Sequence, residues 1–167
     1  MEVKQISFIT ASILRQFLAV SLALSPAFAG AESVVNLRCD VNAAHTYFSG
    51  NTAKKVGVAL LEIKVIGPHV GITISSDIDS VDNLSVLSTP YNSEEVRAIG
   101  ENRSAENKWE VTQQMTFVSD GSFSNTKVVV DRVTGILIVQ RRSIIDSLTS
   151  STEVSGRCAK SSGKNLF

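Results

Sequence analysis

"KWEVTQQMTFV", residues 108–118, decides how this chain folds. Trp109, Val111, Met115 and Phe117 fall on one side of a two-residue alternation, with Gln113 the one polar member among them. Glu110, Thr112, Gln114 and Thr116 take the other side. Side chains alternate faces along an extended chain, so the pattern predicts a β-strand with one wet face. The segments that follow repeat the message. "SDGS" (119–122) offers Asp120-Gly121 as the positive-φ chemistry of a tight hairpin, and "FSNTKVVVDR" (123–132) reads as the returning strand. "VTG" (133–135) turns the chain into "ILIVQRRS" (136–143), and "STEVSGRC" (151–158) is a last strand with Val154 and Cys158 as inward candidates. Links this short join only antiparallel neighbours, so the C-terminal half is predicted to be a meander.

The preceding half is also β-rich. "SVVNLRCDV" (33–41) is an opening strand, and "KKVGVALLEIKVIG" (54–67) a long one. Leu60, Leu61, Glu62 and Lys64 suit a helix, but Gly57, the β-branched residues and the Gly67-Pro68 stop favour a strand. "VGITISS" (70–76) resumes after that stop. Residues 77–107 stay open: "SEEVRAIG" (93–100) fits either a short helix capped by Ser93 and closed by Gly100, or an edge strand. The fold class expected is all-β with at most one short helix. It would be an antiparallel β-sandwich or a small β-barrel with a C-terminal meander.

The first 29 residues stand apart. Lys4 and Arg15 precede the apolar run "FLAVSLAL", and "SPAFA" closes on Ala-Phe-Ala. This is the layout of a cleaved secretory signal peptide, with cleavage between Ala29 and Gly30 and a single exported β domain over residues 30–167. The run is shorter than the roughly 20 apolar residues a spanning helix needs, so no membrane anchor is expected after cleavage. A lipid anchor does not fit either, because Cys39 lies ten positions beyond Ala29 and follows Arg38. Without Glu2, Lys4 and Arg15 the chain keeps fourteen basic and fifteen acidic residues, a net charge of −1. That balance lacks the footprint of a nucleic-acid binder, and Lys54–Lys55 and Arg141–Arg142 read as solvated strand ends.

Only two cysteines occur, Cys39 and Cys158. An even number in an exported chain predicts a disulfide, here one that joins the first strand to the last. "VVVDRVTGILIVQ" followed by "VSGRC" resembles the C-terminal half of small exported proteobacterial proteins of uncharacterised function. Their shared pattern is a strand, a D/N-R-x-[ST]-G turn, a further strand and G-x-C. The resemblance implies a bacterial, exported β domain and carries over no active site.

Catalytic chemistry is thin. His45 in "AAHTYFSG" and His69 in "GPHVG" stand in no metal-ligand spacing, and no serine sits in a G-x-S-x-G elbow. Asp77, Asp79 and Asp82 in "SDIDSVDN" miss the calcium-loop pattern, which has glycine sixth where Asp82 stands, and read as an acidic solvated loop. "NRS" at Asn102 is a glycosylation sequon, meaningful only in a eukaryotic secretory pathway. No catalytic residue, metal or cofactor is expected. The expected function is a non-enzymatic envelope binding or interaction domain in the periplasm or outside the cell, with an envelope protein or a small apolar ligand as partner. A lysozyme-inhibitor-like barrel is an alternative, although Ser49-Gly50 in "FSGNTA" lacks the tyrosine of the inhibitors' S-G-x-x-Y loop. A hydrolase ranks last.

Overall fold

The computed structural model describes residues 32–161, so the 1–29 segment and the Ala29–Gly30 cleavage point lie outside the described residues. Ten strands make up the fold: β1 (Ser33–Thr46), β2 (Thr52–Ile66), β3 (His69–Ser76), β4 (Leu84–Leu87), β5 (Tyr91–Asn92), β6 (Val96–Asn102), β7 (Lys108–Phe117), β8 (Phe123–Asp131), β9 (Ile136–Ile145) and β10 (Leu148–Lys160). They form one antiparallel sheet in the order β4-β3-β2-β1-β10-β9-β8-β7-β6-β5, with no helix among the described residues. The two edges, β4 and β5, are neighbours in sequence, linked only by residues 88–90. Laid flat, a ten-stranded sheet would hold its edges roughly 43 Å apart, whereas the link from Leu87 to Tyr91 spans about 14 Å at most. The sheet therefore curls into a half-barrel. At the meeting of its edges a Cβ on Gly100 of β6 would strike the backbone of Leu87 and Ser88, so only glycine lets the edges come this close. Asn102 Nδ2 donates to the Pro68 carbonyl at 2.7 Å across the same junction.

The strand reading of residues 54–67 holds, and residues 108–159 form the meander β7–β10. Residues 93–100 form no helix. Ser93 Oγ accepts the N–H of Val96 at 3.0 Å and of Glu95 at 3.3 Å, the bonds a cap would make, but they close the turn between β5 and β6. Ala98 then buries itself against the core in register with Met115. The all-β antiparallel class and the C-terminal meander are as expected, and the barrel-like form is a curled half-barrel whose edges approach without pairing.

Cys39 and Cys158 face one another on β1 and β10 and are joined by a disulfide. These strands occupy the middle of the sheet order, so the bond clasps the two halves of the chain where they meet. Around it the "DRVTG" turn has a definite job. Asp131 Oδ1 accepts the N–H groups of Thr134 and Val133, both at 2.8 Å, which hold its carboxyl below the usual range. Cys158 N–H donates to the Gly135 carbonyl at 2.7 Å. The glycine of G-x-C is needed because a Cβ on Gly156 would lie 2.5 Å from the Asp40 carbonyl oxygen.

The expectation of a wet outer face on β7 fails at one position. Glu110 is 6% exposed, bonded to Lys108 and to Lys127 (2.8 Å), with its N–H donating to Ser104 Oγ at 3.0 Å. Hydrogen bonds from Lys108 and Lys127 lower its pKa to about 2.

A polar cleft on the concave face as candidate functional site

The concave face is built from rows of residues directly opposed across the strands. One row is Ala43, Val154, Val139, Val128 and Val111, all buried. One step further along every strand the row becomes His45, Thr152, Arg141, Thr126 and Gln113. The next step gives Ser150, Ser143 and Ser124, and beyond these β9 and β10 end on the exposed pair Ile145 and Leu148. Five strands thus switch from apolar to polar at the same level, and a belt of hydroxyls, imidazole and guanidinium lies between packed core and exposed apolar rim.

His45, Thr152, Arg141, Ser143 and Ser150 of this belt floor a cleft of about 390 Å³, bounded by the β1–β2 turn, the 77–83 loop and the ends of β9 and β10, while Gln113, Ser124 and Thr126 are buried beside it. That volume falls within the range of small-molecule sites. Arg141 Nε donates to Ser124 Oγ at 3.4 Å, and among the described residues no carboxylate lies within ion-pairing distance of its guanidinium. His45 Nδ1 shares a 2.8 Å hydrogen bond with Thr152 Oγ1, and the Tyr47 ring meets the imidazole edge-on with centroids 4.4 Å apart. The acidic residue of the cleft, Asp79, is paired with Lys55 at 3.2 Å. Tyr47, Phe48 and Ile145 form an apolar wall, each about two-fifths to one-half exposed.

Arg141, read with Arg142 as a solvated strand end, is half-buried on the inward face of β9 with Leu137 and Val139, whereas Arg142, Lys54 and Lys55 are exposed as expected. Its signal was present in "ILIVQRRS", two places beyond Val139 in the same alternation. His69 is exposed at the start of β3 and lines no part of this cleft. The three aspartates of 77–83 are not brought together as a cage. Asp77 Oδ1 accepts the Val58 N–H at 2.8 Å and Asp82 Oδ1 the Ser76 N–H at 3.0 Å, while Ile78 and Val81 between them are buried in the core. Ser49 and Gly50 sit in the β1–β2 turn beside the cleft wall, and the disulfide lies two rows into the core beyond Ala43.

Fold and cleft together define an all-antiparallel, disulfide-clasped half-barrel with one polar mouth. Comparison with family models, with curated proteins and with solved structures finds no match to this chain.

Proposed function

We propose that this chain is an exported, non-enzymatic binding domain of the bacterial envelope and that the concave cleft is its ligand site. The observation that carries the reading is Arg141: a guanidinium on the concave face, ringed by hydroxyls and left without a carboxylate among the described residues. A half-buried cation flanked by Ser124, Ser143 and Thr152, with no ion pair among the described residues, keeps its charge free for something it binds. The disulfide suits an oxidising compartment, and the Lys4-to-Ala29 signal pattern supports export.

Native mass spectrometry of the oxidised protein, purified from its host envelope, tests this directly. The expected result is a bound small molecule whose removal shifts the backbone NMR signals of His45, Arg141 and Thr152. Only ligand-free protein, or a ligand whose shifts map outside the cleft, would overturn it. One observation favours a hydrolase instead: the His45–Thr152 hydrogen bond has the reach of a base–nucleophile pair. Ester turnover that vanishes in Thr152→Val would establish that second reading.

A further inference from the structure

The chemistry of the ligand can be read from the order of the layers, given the proposed binding role of the cleft on which this rests. We infer that the cleft takes a small organic carboxylate carrying an apolar portion, a short acyl chain or a single aromatic ring. Its carboxylate would be held at Arg141, and its hydrocarbon part would rest on Tyr47, Phe48 and Ile145.

Three features support this. First, the sign of the charge is set. Asp79 is occupied by Lys55, and Glu153, the acidic residue nearest in sequence on β10, points to the convex face. Arg141 therefore dominates the floor, and a planar guanidinium favours the two-oxygen geometry of a carboxylate. Second, the donors suit a compact anion. Thr152 and Ser143 stand beside Arg141 on β10 and on β9, and His45 lies one strand beyond Thr152, about 10 Å from Arg141 by strand spacing. An anion placed over Thr152 is thus flanked by both. Third, the layers run core, polar belt, apolar rim. Below the belt Val139, Val154 and Val128 are fully packed, leaving no room for a tail to run inward. Above it the exposed aromatic and aliphatic side chains offer a surface for one. A ligand matched to this order is polar at its deep end and apolar at its outer end. The cleft of about 390 Å³ has room for a ligand of roughly the size of phenylpropionate or hexanoate.

Isothermal titration of the full oxidised protein with 3-phenylpropionate and hexanoate, beside their neutral amides and inorganic phosphate, provides the test. Binding of both acids at least tenfold tighter than of their amides and of phosphate supports the inference, as does a loss of ten- to hundredfold for the acids in Arg141→Gln with amide binding unchanged. Equal affinity for acid and amide would overturn it while leaving the cleft a binding site. So would phosphate binding as tightly as the acids. No binding of any probe to wild-type protein overturns it too. The envelope-derived ligand and its NMR map then decide separately whether the cleft binds at all. The comparison of acid with amide uses unaltered protein, so it stands even if Arg141→Gln folds poorly.

Discussion

The two ends of the concave face are made by the same strands and obey opposite rules. On β9, Leu137 and Val139 are buried among Val128, Val130 and Val154, and two positions later Arg141 and Ser143 face a solvent-accessible cleft. On β8 the same step runs from Val130 and Val128 to Thr126 and Ser124, and on β10 from Val154 to Thr152 and Ser150. Distance along a strand, rather than position in the sheet, separates the half that holds the fold together from the half free to carry function. Stability should concentrate in the first half; in the second, the half-buried Arg141 should contribute little, while the buried Ser124, Thr126, Ser150 and Thr152 still need their hydroxyls partnered.

The hardest test moves the charge one row deeper. Val139→Arg places an unpaired guanidinium where the side chain is 1% exposed, and is expected to cost more than about 5 kcal/mol, leaving the chain unfolded by circular dichroism. A folded Val139→Arg would mean that the polar level is not a boundary. Next in size is the clasp. Replacing Cys39 and Cys158 together by serine releases a loop closed over 119 residues, and should lower stability in urea titrations by about 4–5 kcal/mol. Because the disulfide lies at the apolar end, any ligand binding should persist where the variant is folded.

Glu110 contributes less and does so on the convex face. Its folded pKa of about 2 lies below the ordinary 4.5, so its stabilisation is present in full above the ordinary value and is lost as pH falls towards 2. Allowing for the partial exposure of Lys108 and Lys127, Glu110→Gln should cost about 1–2 kcal/mol at pH 7. The gap from wild type should close as titrations are repeated down to pH 2, and a gap independent of pH would refute the assignment. The smallest effect is expected at the cleft floor: Arg141→Leu should change the unfolding free energy by less than about 1 kcal/mol in either direction, because no ion pair is broken. A loss of several kcal/mol there would make Arg141 structural.

Much of this was legible because β-strands write their environment with period two. The alternation in 108–118 was enough to place Val111 and Gln113 on one inward face, and "ILIVQRRS" carried Arg141 in the same phase as Leu137 and Val139. What one strand could not reveal is whether an inward polar residue ends in a void, a partner or a cleft. That depends on the neighbours' register, and Arg141 therefore looked like one of two solvated arginines. Glu110 was missed for a similar reason: besides Lys108 on its own strand, it is covered by a lysine on another strand and by the 103–105 segment folded back over it.

By itself, then, the sequence determined the all-β class, the C-terminal meander and the pairing of the only two cysteines. Each follows from local period, short turns or a count that admits one intramolecular answer. Tertiary structure alone decided that the β1–β10 pair, expected from the cysteines, lies inside the sheet rather than at its edge, that a three-residue link curls ten strands into a half-barrel, and that five separate polar residues stand in one row. Those outcomes rest on register and closure between segments as much as a hundred residues apart, which no local pattern encodes.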